Sequence, residues 1–324
     1  MTKEEQGSRQ GAQATIADAC PKPDQVPDSD CHFQTNSTSP KALEVLPAQT
    51  NGESRHFIKF ADRQWWINFH WHNPDNSWDP DRFKGTYDYG KDGQYNSDFD
   101  PKRFYTTNAD GSVTLKAFQK PASDPYKGVV TSEIVMKDKI GYGKFLVTAR
   151  ADNGTFATLD PYAILGIFTY QYANAAVPGL QNVNRELDLL ETISTIAQPD
   201  RKTGNAQFAI QPARDNQTIK RMEIPSDCKF ITVLMEWKEE EISGISVPLA
   251  RFEIYNGDFT EADLVNNPGK QFATWAYIDN SGIYVPKYTK ESCVRFHINF
   301  WLWKGTAPKS PQAVTITRFQ YTPQ

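Results

Sequence analysis

Residues Cys293–Trp303 alternate without a break. Val294, Phe296, Ile298, Phe300 and Leu302 interleave with Arg295, His297, Asn299, Trp301 and Trp303. A strand sends successive side chains to opposite faces, so this period of two separates one apolar face from one polar and aromatic face. Short apolar or alternating runs recur along the chain, among them Phe57–Phe60, Trp65–His72, Ser112–Ala117, Val129–Met136, Lys144–Ala151, Tyr162–Tyr170, Glu186–Ile193, Phe230–Trp237 and Val314–Tyr321. Turn pairs such as Asp110-Gly111, Asn153-Gly154, Pro178-Gly179 and Asn256-Gly257 separate them. Many short strands with turn punctuation and scarcely any helical period predict an all-β chain, an antiparallel β-sandwich. One short helix is expected near Thr260–Val265, with Thr260 as its cap.

Composition narrows the partners. The 324 residues carry a formal charge of -4, so no net field draws the chain to nucleic acid or to an anionic membrane. The longest apolar stretch, near Tyr162–Tyr170, falls far short of the roughly 20 residues a membrane helix needs. Residues 1–55 are polar and aperiodic and read as a tail or extended wrap, with one domain over 56–324. The N-terminus has no apolar signal core. The expectation is a cytoplasmic protein if that terminus is native, and a secreted or periplasmic one if a signal segment is absent from the chain. Four cysteines are too few for a disulfide scaffold. Pairs 20–31 and 228–293 and free thiols are all open readings.

The outer face of the Cys293–Trp303 strand suits a sugar. Indoles stack on the apolar face of a pyranose, while Asn, His and Arg bond its hydroxyls. Its bland alternative is an outer face that happens to be aromatic. Trp65–Trp71 repeats the theme, with His70 and His72 on one face. Two histidines without a third ligand read as ordinary cleft or surface residues. Asn73–Asp81 is acidic and turn-rich, and solvated turn residues are the simpler reading there than a calcium site.

The chemistry concentrates in Glu186-Leu187-Asp188-Leu189-Leu190-Glu191. In a strand, Glu186 and Asp188 share a face and Leu187 and Leu189 point to the core. Strict alternation would then bury Glu191, and an unpaired carboxylate in an apolar core is too costly. One β-bulge at Leu189-Leu190 sends both leucines inward and returns Glu191 to the acidic face. The pattern E-x-D-x-x-E is expected only about 0.05 times by chance in such a chain. Its alternative is an acidic strand edge. Glu186 and Glu191 would stand roughly 13 Å apart at Cα. With both side chains leaning inward, about 5–6 Å would separate their carboxyls, the spacing of a retaining glycosidase pair. The charge of Asp188 between them would help to keep one glutamate protonated.

On these residues the chain resembles glycoside hydrolase family 16, whose bulged signature is E-hydrophobic-D-x-x-E. Tyr142-Gly143-Lys144-Phe145, Met235-Glu236-Trp237, Arg251–Gly257, Asn299-Phe300-Trp301 and Val314–Tyr321 resemble further family strands in the right order. The two-residue spacer resembles the laminarinase and agarase branches. Phe168 stands where the family usually has Trp, Ile231 and Val233 replace a His-x-Tyr, and Glu239–Pro248 lengthens a hairpin. The resemblance implies a β-jelly roll with a concave cleft. It implies Glu186 as nucleophile, Asp188 as assistant and Glu191 as acid/base. Substrate would lie on His297, Asn299, Trp301, Trp303, Phe168, Tyr170 and Arg295. The expected activity is retaining endo-hydrolysis of a β-linked polysaccharide, β-1,3-glucan first and a galactan second, by a monomer. It needs no cofactor and binds no catalytic metal, while a structural calcium ion is allowed by the resemblance. A non-catalytic glycan-binding module and a wall transglycosylase are the alternatives on the same fold.

Overall fold

The computed structural model describes residues 56–67, 104–119, 121–123, 129–171, 181–182, 184–199, 203–214, 217–290 and 292–324. In chain order the strands begin with β1 (His56–Phe60), β2 (Arg63–Ile67), β3 (Tyr105–Thr107), β4 (Val113–Gln119), β5 (Val129–Val130) and β6 (Ser132–Met136). β7 (Gly143–Ala151), β8 (Ala163–Tyr170), β9 (Leu187–Thr192), β10 (Ala206–Ile210) and β11 (Ile219–Met222) follow. β12 (Phe230–Ile242), β13 (Ile245–Asn256), β14 (Gln271–Ile278), β15 (Arg295–Leu302) and β16 (Gln312–Pro323) complete the set. One sheet runs β1-β2-β6-β15-β8-β9-β10-β11, and the other runs β14-β13-β12-β7-β16-β4-β3 with β5 paired to β4. The fold is a β-jelly-roll sandwich of two antiparallel sheets. The alternating runs make this the stable arrangement, because each sheet has one apolar face that only the other can cover.

Aromatic rings from the two sheets meet in the core. Phe145 stacks on Phe296 at 5.4 Å, Phe208 on Phe252 at 5.4 Å, and Trp65 meets Phe319 edge-on at 4.9 Å. Each side chain of this size contributes about 1.5–3 kcal/mol by leaving water. The core face of β15 is the one its alternation predicts, with Phe296, Ile298, Phe300 and Leu302 all buried. The strand is shorter than Cys293–Trp303, however. Trp303 leaves the ladder and opens a 3₁₀ turn over Trp303–Gly305, its N–H donating to Tyr162 O at 2.8 Å. Of the expected run Trp65–His72, β2 takes Trp65–Ile67, and residues 68–72 lie outside those described, as do 1–55, Asn73–Asp81 and Pro178-Gly179.

The long hairpin containing Glu239–Pro248 keeps its register to the tip, where Ile242 pairs with Ile245. Ser243 and Gly244 turn it with φ of 53° and 78°, the left-handed pair that a two-residue hairpin with right-handed strand twist requires. The helix α1 (Glu261–Asn266) begins at Thr260, whose side chain accepts from Asp263 N while the Asp263 carboxylate accepts from Thr260 N at 2.9 Å. The 228–293 pairing is not made. Cys228 is a buried free thiol pushed up to about 12 by burial, with Asp227 adding to it. Cys293 is disulfide-bonded.

Candidate active site

The strand ladder brings the singled-out residues to the face of the first sheet that is turned away from the core. Glu191 lies opposite Gly166, Leu190 opposite Ile167, and Asp188 opposite Phe168, which leaves Leu189 as the extra residue. This is a bulge at Leu189-Leu190. Leu187, Leu189 and Leu190 are all buried in the core, so the acids between and beyond them belong to the other face. Across the sheet, Val135, His297, Phe168, Asp188 and Ala209 form one row of partners. Glu133, Asn299, Gly166, Glu191 and Gln207 form the next.

Asp188 is the deepest of these three acids, while Glu186 and Glu191 are half-buried. Its carboxyl lies well above the usual carboxylate range. Burial is the main cause, and the charges of Glu186 and Glu191 add to it. A bond from Gln211 Nε2 to Asp188 Oδ2 at 2.9 Å works in the opposite direction. Gln207 Nε2 donates to Glu191 Oε2 from the paired position on β10. The charges of Glu186 and Glu191 thus both act on the Asp188 carboxyl.

This raised proton affinity has a consequence for stability. Below the carboxylate's unfolded value Asp188 is neutral in both states, and above it the folded chain holds a group that resists ionisation. The favourable contribution is thus present at low pH and lost as pH rises through the folded value. Asp188→Asn should raise the urea midpoint more at pH 8 than at pH 4, while lowering any activity of the site. A gain that is equal at both pH values, or larger at pH 4, would contradict the burial argument.

The other side of the acids is built by β15 and β6. His297 Nδ1 meets Glu133 Oε1 at 2.8 Å, and both residues are buried. Phe168 stacks on the imidazole at 5.1 Å and Tyr170 meets it edge-on at 5.7 Å. Arg295 is also buried, its guanidinium 4.6 Å from the centre of the Trp66 ring. Arg295 and His297 thus hold protein partners, where the alternation alone suggested an open polar surface. Trp301 and Trp303 are half-buried with ring centres 5.7 Å apart. Asn299 leans across Gly166, where a Cβ would collide with its carboxamide. The missing side chain therefore sets the approach of β15 to the row of Glu191.

Several neighbours escape a sequence reading. Glu133, Gln207 and Gln211 reach the acids or His297 only through strand pairing, and no spacing advertises them. Gly166 carries a local signal, since a glycine inside a strand marks a close approach. Among the described residues, no three His, Cys, Asp or Glu side chains are grouped to hold a metal ion. His70, His72 and Asn73–Asp81 fall outside the described residues.

No family model matches this chain, and no curated protein matches it. Solved structures resemble it in fold. A prokaryotic β-1,3-1,4-glucanase (lichenase) derived from a mouse hindgut metagenome is 16% identical with a TM-score of 0.42, over 68% of this chain and 84% of that one. Bacillus licheniformis β-glucanase is 12% identical with a TM-score of 0.45, over 88% and 100%. A laminarinase from Flavobacterium sp. UMI-01 is 13% identical with a TM-score of 0.43, over 69% and 83%.

Proposed function

We propose that this chain is a retaining endo-glycoside hydrolase acting on a β-linked polysaccharide, with β-1,3-glucan as the first candidate and a galactan as the second. One observation carries the reading: a bulged strand turns three leucines to the core, sets Asp188 and Glu191 on the outer face, and has the charge of Glu186 acting on Asp188. Three carboxyls crowded on one face weaken a fold, a cost that functional sites characteristically carry. Farther along β15, the half-buried indole of Trp301, packed against Trp303, offers stacking surface to a pyranose.

In this mechanism a carboxylate oxygen of Glu186 attacks the anomeric carbon. The bond from that carbon to the leaving oxygen breaks, and the oxygen takes the proton of Glu191. Water then attacks the glycosyl ester, gives its proton to Glu191, and releases Glu186 as a carboxylate. Two inversions at one carbon leave the β configuration. Asp188, whose proton affinity burial raises, donates a hydrogen bond toward the nucleophile as its charge falls and returns. Bonds and protons balance with the glutamates and water alone, so the reaction needs no redox cofactor.

The test is a panel of β-1,3-glucan, mixed-linkage glucan and galactan polymers, with the products sized over time. An endo-hydrolase shortens one polymer quickly to mixed oligomers. Products longer than the starting chains would point to transglycosylation. Binding of a polymer without cleavage at any pH would leave a glycan-binding module and reject the hydrolase.

A further inference from the structure

Glu186 stands one residue before β9, so its own N–H and C=O lack the full support of the ladder. A buried or half-buried backbone pair needs partners from elsewhere. Asn182, 1% exposed, supplies them from a single side chain. Its Oδ1 accepts from Glu186 N at 2.9 Å, and its Nδ2 donates to Glu186 O at 2.9 Å. The second Nδ2 proton goes to Tyr284 O at 3.0 Å. Gln211 N adds a bond to Glu186 O at 3.2 Å. Thr169 holds the flanks, donating to Arg185 O at 2.9 Å and accepting from Leu187 N at 3.1 Å. Arg185 itself has φ of 50°, a conformation that a non-glycine residue keeps only when its surroundings impose it.

The carboxamide is anchored in turn by a second buried acid. Asp279, 2% exposed, accepts through Oδ1 from Ser281 N at 3.2 Å and Gly282 N at 3.0 Å. Its Oδ2 accepts from Tyr284 N at 2.6 Å and Val285 N at 2.8 Å. This carboxylate fixes the turn that carries the carbonyls of Ile283 and Tyr284. Ile283 O accepts from Gln181 N at 2.8 Å and from Asn182 N at 3.4 Å, and Tyr284 O holds the Asn182 side chain.

We propose that Asn182 is a positioning residue that sets the Glu186 carboxylate by clamping its main chain, with Asp279 holding the clamp in register. The inference rests on Glu186 acting as the nucleophile. A reacting group must be held within about 0.5 Å of its productive place, and a misplacement near 1 Å costs about 100-fold in rate.

The experiment pairs kinetics with amide exchange, using the whole chain and Asn182→Ala and Asn182→Asp. Asn182→Ala should lower kcat about 100-fold with KM within about twofold, because the clamp touches no substrate. The Glu186 amide should lose protection from exchange, while the Leu187 amide, bonded to Thr169, keeps it. Asn182→Asp retains an acceptor for Glu186 N and lacks both donors, so it should fall between the two in exchange and in kcat. Should Asn182→Ala fail to fold, the order of wild type and Asn182→Asp decides. A Glu186 amide that stays protected in Asn182→Ala overturns the proposal. So does protection lost with kcat unchanged, or an equal loss at Glu186 and Leu187. If the wild type cleaves no glycan, the glycosidase reading fails, and the exchange result alone still decides the clamp.

Discussion

Replacing Glu186 by Ala should lower hydrolysis by a factor on the order of 10⁴–10⁶, the scale of losing a covalent nucleophile. The same variant should gain a new reaction. Azide fits the space the carboxylate leaves, and its attack on the anomeric carbon expels the leaving oxygen with the Glu191 proton. One inversion then gives an α-glycosyl azide. Replacing Glu191 by Ala fails in a different way. Sugars with poor leaving groups should stall, while aryl glycosides with good ones should still form the ester on Glu186, because their departure needs no proton. The ester should then persist, since the base for water is gone, and its mass should be found on the peptide that carries Glu186. In the wild type, NMR of fresh product before mutarotation should show the β anomer. An initial α anomer would remove Glu186 from the nucleophile's role. Two variants with one common phenotype would remove the division of labour between the glutamates.

What was legible in the sequence follows the physics of each feature. Strand periodicity is local, so the core face of β15 and the inward leucines of β9 could be read directly. The bulge was legible because burying Glu191 unpaired would cost too much, and only one extra residue avoids it. The helix cap at Thr260 is also a local rule, satisfied by a residue three positions away. The partners of the site are a different matter. Gln207 and Gln211 meet the acids across β10 and the segment after it, and Asn182 reaches Glu186 through a turn. Glu133 meets His297 across 164 residues of chain. Such contacts depend on register between strands, which one sequence does not specify. Burial of Arg295 and His297 was hidden for the same reason. Alternation tells which face a side chain takes, and only the neighbouring strands tell how much covers that face.

Deleting Leu189 should cost stability and leave the acids together. Glu186, Leu187, Asp188, Leu190 and Glu191 then alternate strictly, which keeps the three acids on one face and the two remaining leucines on the other. The partners on β8 need not change, since Asp188 already lies opposite Phe168 and Glu191 opposite Gly166, and the bulge absorbs the residue that is lost. The deletion removes one buried leucine from the cluster that holds Leu187 and Leu190, so the loss should be about 2–5 kcal/mol. That is a large part of the roughly 5–15 kcal/mol that typically holds a domain folded. Leu189→Ala keeps the chain length and the bulge and should lose a similar amount. Leu189→Asp should cost more, because it places an unpaired carboxylate in the same cluster. Urea unfolding and kcat, measured on the three variants, separate packing from geometry. The deletion and Leu189→Ala should remain active wherever they are folded, while Leu189→Asp should leave little folded protein. A folded deletion variant without activity would show that the bulge itself sets the geometry of the acids.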